Sequence, residues 1–543
     1  MKPLAAFRRE SAPRIASRHR TLSLAFAVAC ALAAAFAADI AKAQDGTPDA
    51  SWAPRNSAEF GVTGLIEDTF NLGGGGTYNG DMTATAVAVQ ADGKVVVAGF
   101  GWNTFANTGD DQNACVVRRY LANGDNDTSF GENGIAMFNA SASGESSQKL
   151  DCYFNSLALQ PDGAILAAGQ LTGDVQGALA IGIVFRLDTN GAADLNFGGS
   201  GYVRAGVNFT QVLVAPGGNV YATGAAKQTG FNDTDFYLAA FDAGGNSLYT
   251  RFVAFDEAGG DLNDSATSAV LETWGTFSAG AFHSHERLYV AGLVDNAAYS
   301  PTLAHHSCGV AAFDASDGSE LDTDTSFGGG VLTWDFPVGL NDTDTLCRTA
   351  TRRPGLPTVL GPTGIVVGGE RYFVPTAGGL ASMYALAEIS PNGTMTRHDD
   401  FAFFEDALEP GAFNSIFAMA WDDIGKLVVV GYAGLGANGN AAHAPSDMGL
   451  RRFNADYSSD TAFGTFTPGT EILSLDDAGG PLLPAQREWA TALALDPTHA
   501  RAIVVGERSP WLAAFPNKYY WMLGAVHDGV VAVSDRIFAN GFD

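Results

Sequence analysis

Basic residues are scarce in this chain of 543 residues. It has 30 Lys and Arg against 59 Asp and Glu, which gives a formal net charge of −29. The first 43 residues hold seven of the basic and two of the acidic residues, so the rest of the chain has 23 basic and 57 acidic residues and a net charge of −34. Such a surface repels nucleic acid, whose recognition needs clustered Lys and Arg. It also disfavours anionic membrane surfaces, so we expect no nucleic-acid partner.

Long hydrophobic runs are equally scarce, and only one could cross a membrane. It covers residues 21–38 and follows an arginine-rich leader, and residues 41–43, Ala-Lys-Ala, fit the small-x-small pattern of signal cleavage. The sequence therefore predicts a secretion signal over residues 1–43 and a short linker over residues 44–56, with no transmembrane segment after cleavage. An uncleaved membrane anchor and a lipid-anchored Cys30 are the alternatives. We expect an exported protein of the periplasm, the cell surface or the extracellular space.

Motifs for catalysis and for cofactor binding are missing as well. No Gly-x-Ser-x-Gly occurs in a strand-to-helix context. The glycine-rich stretch at residues 71–80, NLGGGGTYNG, lacks the Lys-Ser/Thr of a phosphate loop and precedes a strand. The five cysteines include no Cys-x-x-Cys pair, which argues against a zinc site. We therefore expect no cofactor, apart from the structural calcium considered below.

What the sequence does contain is a repeated hairpin. Residues 86–99 read AVAVQADGKVVVAG, with an Asp-Gly turn between two apolar strands, and residues 156–169 read SLALQPDGAILAAG. The second strand of this hairpin ends in an aliphatic run closed by glycine, and that ending recurs at Gly99, Gly169, Gly224, Gly292, Gly369, Gly431 and Gly506. We number the repeats one to seven by these glycines. A unit that returns every 55 to 77 residues indicates a repeat architecture.

Each repeat has a second half, in which a third strand, a turn and a fourth strand follow the hairpin. Several of these turns read Asp-x-x-Phe-Gly, at residues 127–131, 194–198, 324–328 and 460–464. Four short antiparallel strands in each of seven repeats predict an all-β fold, a seven-bladed β-propeller over residues 57–543. Residues 57–66 match a fourth strand that has no repeat of its own, so we expect this strand to pair with the C-terminal blade and close the ring. A β-solenoid and two small propellers are the alternatives.

These stretches together resemble a known repeat. The pattern LQPDGxILAAG, then RxxxNG, then DxxFGxxG is similar to the delta-60 repeat of exported bacterial proteins, most closely at residues 86–138, 156–205 and 417–464. The resemblance implies a β-propeller-like array and brings no catalytic residues with it. The C-terminal DRIFANGFD, residues 535–543, looks like a short motif at the end of some exported bacterial proteins, and a frayed closing strand explains it equally well.

Four cysteines remain beyond residue 43, and they occupy matching repeat positions. Cys115 and Cys308 open the third strand of a repeat, whereas Cys152 and Cys347 precede the first strand of the next one. Because the first and third strands of an up-and-down blade run the same way, all four positions lie on one face of the ring. This symmetry, with the even count and the oxidising destination, predicts the disulfides Cys115–Cys152 and Cys308–Cys347.

Aspartates cluster in several of the predicted turns. The weak candidates for a structural calcium site are Asp125, Asp127, Asp233, Asp235, Asp322 and Asp324. Alternating carboxylates offer the oxygen ligands that Ca²⁺ prefers. None of these stretches follows the twelve-residue calcium loop, however, and Asp is a common turn residue. We therefore interpret these aspartates first as turn residues and second as calcium ligands.

Four histidines also cluster in repeat four, and we expect them to lie at the surface: His283, His285, His305 and His306.

The sequence favours a binding function without naming the ligand. We expect an exported, monomeric, non-catalytic propeller that binds or scaffolds a protein or a glycan at the cell envelope or outside the cell. The alternative is a secreted glycan lyase or hydrolase that acts at the mouth of the central channel. A cluster of His, Arg, Tyr and carboxylates at the central opening would favour the enzyme. The long insertions of repeats three to five are the first place to look for a site.

Overall fold

A computed structural model of the chain divides into two units, residues 1–43 and 44–543. It describes residues 47–52, 64–68, 82–105, 110–138, 150–173, 180–206, 208–228, 230, 233–255, 262–278, 281–295, 306–319, 330–336, 342–354, 361–374, 379–401, 403, 413–434, 446–465, 468–473, 487–509 and 520–528. Within these ranges no helix has the length and apolar character needed to cross a bilayer. The secretion signal, the residues 535–543 motif, Asp322, Asp324 and His305 lie outside the described residues.

The described residues form 28 strands and one short 3₁₀ helix, Phe197–Gly199. After β1 (Leu65–Asp68), repeats one and two supply β2 (Met82–Val89), β3 (Val95–Phe105), β4 (Asp110–Tyr120), β5 (Ile135–Phe138), β6 (Leu150–Leu159), β7 (Ile165–Gly173), β8 (Ile181–Leu187) and β9 (Tyr202–Arg204). Repeats three and four supply β10 (Asn208–Val214), β11 (Val220–Ala226), β12 (Asp235–Phe241), β13 (Ser247–Val253), β14 (Ser265–Ser278), β15 (Ala281–Asp295), β16 (His306–Asp314) and β17 (Val331–Trp334).

The last three repeats supply eleven further strands. These are β18 (Asp342–Arg352), β19 (Ile365–Phe373), β20 (Ala381–Ile389), β21 (Met395–Phe401), β22 (Phe413–Trp421), β23 (Leu427–Gly434), β24 (Ser446–Phe453), β25 (Thr470–Leu473), β26 (Arg487–Asp496), β27 (Arg501–Ser509) and β28 (Tyr520–His527). Within each repeat, neighbouring strands pair antiparallel in chain order. The fold is therefore an all-β propeller built from four-stranded antiparallel units.

The number of sheets differs from the prediction. The described strands form five sheets, four of four strands and one of twelve, so the prediction of a seven-bladed β-propeller is wrong. The twelve-stranded sheet arises where β22 begins beside β20, with Ser382 paired in parallel to Phe413, and where β26 begins beside β24, with Ser446 paired to Arg487. The repeat pattern could not predict these two bridges, because they depend on how closely successive units approach one another.

The middle strands carry the core. All seven residues of β11 and of β12 are buried, and β3, β7, β19, β23 and β27 contain runs of buried Val, Ile, Leu and Ala. Such strands read as continuous apolar runs because neighbouring sheets cover both of their faces. The first strands alternate instead, as in β6, where every second side chain is buried. Packing between units therefore supplies most of the apolar burial.

The second strands continue past the glycine at which the sequence predicts their end, as β3 does beyond Gly99. The repeated glycine within each of these strands has a steric cause. A Cβ on Gly169 would lie 1.8 Å from the Tyr153 carbonyl oxygen, and one on Gly431 would lie 1.9 Å from that of Ser415. The first strand bulges next to this glycine, since its register skips one residue there. The chain thus repeats glycine because the first and second strands approach too closely for any side chain.

The bulged residues tie successive first strands together. Thr85 donates to the Phe154 carbonyl oxygen at 2.7 Å, and Thr210 donates to that of Ala266 at 2.7 Å. Thr491, in the last repeat, donates back to the carbonyl oxygen of Ala84 in the first. First strands also pack in succession around the molecule, and β26 packs on β2. The described propeller units therefore close into a ring.

The N-terminal strand adds to this closure. β1 pairs antiparallel with β28, with Leu65 opposite Gly524. Asp49 donates its backbone N–H to the Ala525 carbonyl oxygen at 2.7 Å, and the side chain of Trp52 is fully buried among first- and last-repeat residues. The first part of the predicted strand, residues 57–63, lies outside the described residues.

Candidate functional site

Two disulfides, in the predicted pairing, link neighbouring repeats on one face of the ring. Cys115–Cys152 has a Cα–Cα distance of 5.0 Å and Cys308–Cys347 has one of 5.3 Å. All four cysteines are fully buried. Each bridge joins the third strand of one repeat to the first strand of the next, so the chain entropy that it removes from the unfolded state stabilises a junction between units.

The carboxylates of Asp125 and Asp127 accept hydrogen bonds within a turn. The Asp127 carboxylate accepts hydrogen bonds from the amide and hydroxyl of Ser129 and from Arg119 Nε, the last at 2.8 Å. Burial opposes ionisation of Asp127, but Ser129 and the Arg119 guanidinium together hold its pKa below the ordinary value. Asp125 accepts from Asn123 Nδ2 at 3.0 Å. The turn interpretation therefore accounts for the contacts of both residues.

Asp233 and Asp235 are buried at the start of β12. The backbone N–H of Asp264 donates to the carbonyl oxygen of Thr234 between them, at 2.6 Å. Among the residues that the structure describes, no three His, Cys, Asp or Glu side chains are grouped so that they could hold a metal ion. Calcium binding at the aspartate-rich turns stays a prediction.

The sequence predicts that a cluster of charged and aromatic groups at the central opening would indicate an enzyme. One polar network joins β18, β19 and β22. Arg348, at the bulged position of β18, donates to the fully buried Glu370 at 2.6 Å, and Glu370 also accepts from the hydroxyl of Ser415. Burial, and then the charge of Glu370, raise the pKa of Tyr372 to about 12, which makes this phenol a poor proton acceptor near neutral pH. Because the charges of Arg348 and Glu370 neutralise each other, we interpret this network as structural.

Arginine–aspartate pairs recur on the face opposite the disulfides, where the third strands end. Arg119 pairs with Asp127, and Arg452 pairs with Asp460 at 2.7 Å. Each arginine also reaches the next unit, since Arg119 donates to the Thr189 carbonyl oxygen and Arg452 donates to Asp528 at 3.0 Å. These buried pairs explain the spacing between the third-strand Arg and the Asp of the Asp-x-x-Phe-Gly turn.

A cleft opens on this face between repeats six and seven. It is open to solvent and is lined by Asp422, Asp423, Ile424, Leu495, Asp496, Pro497, Ala500, Arg501 and Asp528. We call it the acidic cleft, because four carboxylates and a single arginine line it. Two hairpin turns, β22–β23 and β26–β27, and the residue after β28 form its walls.

Asp422 opens the β22–β23 turn and is 6% exposed. Its Oδ1 accepts from the backbone N–H groups of Ile424, at 3.1 Å, and Lys426, at 2.7 Å. Its Oδ2 has no hydrogen-bond partner within the described part of the chain. Burial raises the pKa of Asp422, and Asp423 adds to this while Arg452 opposes it. A buried carboxylate oxygen without a donor costs folding free energy that a bound hydrogen-bond donor would recover.

The opposite wall holds its carboxylates in place. Asp496 is 1% exposed and accepts from His499 Nδ1 at 2.7 Å and from Arg501 Nε at 3.1 Å. Arg501 also reaches Asp49 at 3.4 Å and the carbonyl oxygen of Ala122 in repeat one. The cleft is thus bounded by an ion-pair network that links the last repeat to the first.

The sequence prediction missed the acidic cleft, although a signal was present. Asp422 stands nine residues before Gly431, where Gln90 and Gln160 stand nine residues before their own glycines. Asp496 takes the corresponding turn position in repeat seven. A change from Gln to Asp at the same position of two neighbouring repeats indicates charge that the hairpin itself does not require.

Comparisons with known proteins identify the fold. The model of a β-propeller domain of unknown function, DUF5122, matches residues 90–130 and 160–197. The narrower resemblance to the delta-60 repeat stays a prediction. No curated protein matches the chain.

Several solved structures are similar at low identity. The β-propeller domain of the Trilobed protease from Pyrococcus furiosus has 8% identity and a TM-score of 0.37, over 85% of this chain and 99% of that one. The N-terminal domain of Nup159 has 7% identity and a TM-score of 0.38, over 89% and 97%. The GH93 α-L-arabinofuranosidase of Fusarium graminearum has 10% identity and a TM-score of 0.35, over 68% and 92%.

Proposed function

We propose that the protein is an exported, non-catalytic β-propeller that binds a protein partner at the cell envelope or outside the cell, and that a basic side chain of this partner enters the acidic cleft. The observation that carries the proposal is the cleft itself, with four carboxylates on its walls and the buried Oδ2 of Asp422, to which none of the described residues donates. An ammonium group brings three donors and a positive charge. It therefore suits this lining better than a neutral or anionic group does.

Two further features support the proposal. The basic, apolar leader and the two disulfides fit an exported protein. The net charge of −34 beyond residue 43 attracts cationic partners over a long range and speeds their association at low ionic strength.

The test is calorimetric titration of the purified protein with hexalysine and with the fully acetylated peptide, which lacks the charges. We expect hexalysine to bind, the acetylated peptide to bind much more weakly, and added salt to weaken binding. Asp422→Asn keeps the shape of the turn and removes the charge. It should lower the affinity for hexalysine by about tenfold, which corresponds to the loss of one charge-assisted hydrogen bond.

The matched control is Asp162→Asn, which removes a carboxylate from the corresponding turn of repeat two, outside the lining of the acidic cleft. This variant should bind hexalysine like the parent protein. Equal losses in both variants would mean that overall charge, and not the cleft, attracts the peptide. Binding of a neutral polysaccharide that Asp422→Asn leaves unchanged would move the site elsewhere and favour a glycan ligand.

A further inference from the structure

Beside each disulfide, an aspartate of one repeat's first strand accepts a hydrogen bond from the third strand of the preceding repeat. We call each of these contacts a clasp. The backbone N–H of Asn113 donates to Asp151 Oδ1 at 2.7 Å, next to Cys115–Cys152. The backbone N–H of His306 donates to Asp344 Oδ1 at 2.8 Å, next to Cys308–Cys347. Asn113 and His306 both stand two residues before the cysteine of a third strand, so the two clasps occupy equivalent places in the ring.

The two clasps differ in whether they can titrate. The side chain of Asn113 donates to the Tyr153 hydroxyl at 3.0 Å, and an amide has no protonation equilibrium near neutral pH. In the other clasp, His306 Nδ1 lies 3.1 Å from Asp344 Oδ1, and His306 Nε2 lies 3.1 Å from Asp295 Oδ1. Both ring nitrogens therefore face carboxylates, and only the imidazolium carries a proton on each of them.

The surroundings of His306 are largely anionic. Asp295 comes from the end of β15 and Asp344 from the start of β18, while Arg348 on β18 opposes them with its positive charge. Behind Asp295, the buried Asp264 accepts its backbone N–H at 3.1 Å. The hydrogen bond to Asp344 is the main cause that raises the pKa of His306, and Asp344 and Asp295 add to it through their charges.

We propose that His306 is a proton-operated clasp, which ties the end of β15 to the start of β18 while its ring is charged and releases them when the ring loses its proton. Deprotonation leaves one N–H for two carboxylates, so one of the two hydrogen bonds is lost and Asp295 and Asp344 repel each other. The Cys308–Cys347 bridge persists through this change, and the effect is therefore confined to the strand ends.

The direction of the pH dependence follows from the raised pKa. A histidine whose pKa is higher in the folded state than in the unfolded state stabilises the fold below its unfolded pKa, about 6.5. That stabilisation is lost as the pH rises through the higher, folded-state pKa. The ends of β15, β16 and β18 should therefore be better protected in mild acid than in mild alkali, and the ends of β4 and β6 at the Asn113 clasp should not change.

Amide hydrogen exchange of the whole protein tests this proposal. Protection factors, corrected for the intrinsic effect of pH, are compared at about pH 5 and about pH 8.5. We expect the amides of His306 and Asp295 to lose protection by about tenfold between these conditions, and that of Asn113 to keep it. In His306→Asn, which copies the residue of the first clasp, the pH dependence should disappear.

Two results would overturn the proposal. One is protection at His306 and Asp295 that does not change with pH in the parent protein. The other is a pH dependence that survives in His306→Asn. If that variant fails to fold, the imidazole titration of His306 in the parent protein, followed by NMR, decides the question. A titration at or below the ordinary value of about 6.5 contradicts the clasp.

Discussion

At the scale of single residues, two glutamates at equivalent positions have opposite surroundings. Glu370 and Glu507 each directly follow the repeated glycine within a second strand. Glu370 pairs with Arg348, which stands at the bulged position of β18, whereas the bulged position of β26 is Thr491. Glu507 accepts a hydrogen bond from Thr83, and burial raises its pKa to about 7. The same position therefore holds an ion-paired glutamate in one repeat and, in another, a glutamate whose ionisation opposes folding.

Replacing Glu507 by Gln should stabilise the protein at neutral and alkaline pH. Because its folded-state pKa lies above the ordinary value of 4.5, ionisation of Glu507 opposes folding, and stability falls as the pH rises from about 4.5 to about 7. The full effect is roughly 3 kcal/mol above that window. Urea unfolding at about pH 5 and about pH 8 should show this difference in the parent protein and a smaller one in Glu507→Gln.

Glu370→Gln is the matched control, and it should destabilise the protein, since it leaves Arg348 without its partner. Two variants that behave alike would contradict the account of these residues.

Sequence reasoning succeeded at this scale wherever a residue acts within its own repeat. The disulfide pairing followed from repeat positions, and Asp127 is a turn residue as interpreted. It missed Asp422, because residues of the next repeat complete the acidic cleft, and it missed the ion pairs of His306, because one partner belongs to the next repeat. Asp344 lies 38 residues beyond His306, and Asp528 lies 76 residues beyond its partner Arg452.

At the scale of elements, buried arginines hold the third strands β4 and β24 to the next unit. The side chains of Arg119 and Asp127 are 7% and 5% exposed, and Arg119 also covers the ring of Phe130. Arg119→Met keeps the apolar stem and removes the charge, so Asp127 is left buried beside Ser129 alone. We expect a loss of about 3–5 kcal/mol in the free energy of unfolding, measured in urea.

Arg186→Met provides the comparison for this prediction. The carboxylate partners of Arg186, Asp162 and Asp194, are 58% and 20% exposed, so its replacement should cost less than that of Arg119. Equal losses would show that the more deeply buried pair of Arg119 and Asp127 contributes nothing beyond packing.

The element scale also explains the wrong number of separate sheets. Four strands per repeat could be read from the alternation of apolar residues and from the turn signals. The bridges Ser382–Phe413 and Ser446–Arg487 each involve a single residue pair at the start of a first strand, in a stretch without a repeat signature. Local patterns fix the pairing within a unit, and the fit between units decides whether neighbouring sheets join.

At the scale of the whole molecule, the N-terminal segment closes the ring. Trp52 packs with Val97 of repeat one and Trp521 of the last repeat. Trp52→Ala should therefore lower the free energy of unfolding by about 3–5 kcal/mol. It should also promote self-association, because loss of β1 exposes the edge of β28. Light scattering and urea unfolding would measure both effects.

Leu195→Ala is the control for this whole-molecule prediction, since Leu195 is 66% exposed. Its stability and its light scattering should match those of the parent protein. A Trp52→Ala protein as stable and as monodisperse as this control would mean that the N-terminal segment is an accessory to the ring and does not close it.

The most direct test of the binding account is to locate the bound peptide. A hexalysine that carries a photoreactive diazirine is mixed with the protein and irradiated, and the crosslinked residues are identified by mass spectrometry. The account predicts crosslinks in the two turns that form the acidic cleft, residues 422–426 and 495–501. Crosslinks spread over other acidic surfaces, or confined to the disulfide face and absent from these turns, would contradict it.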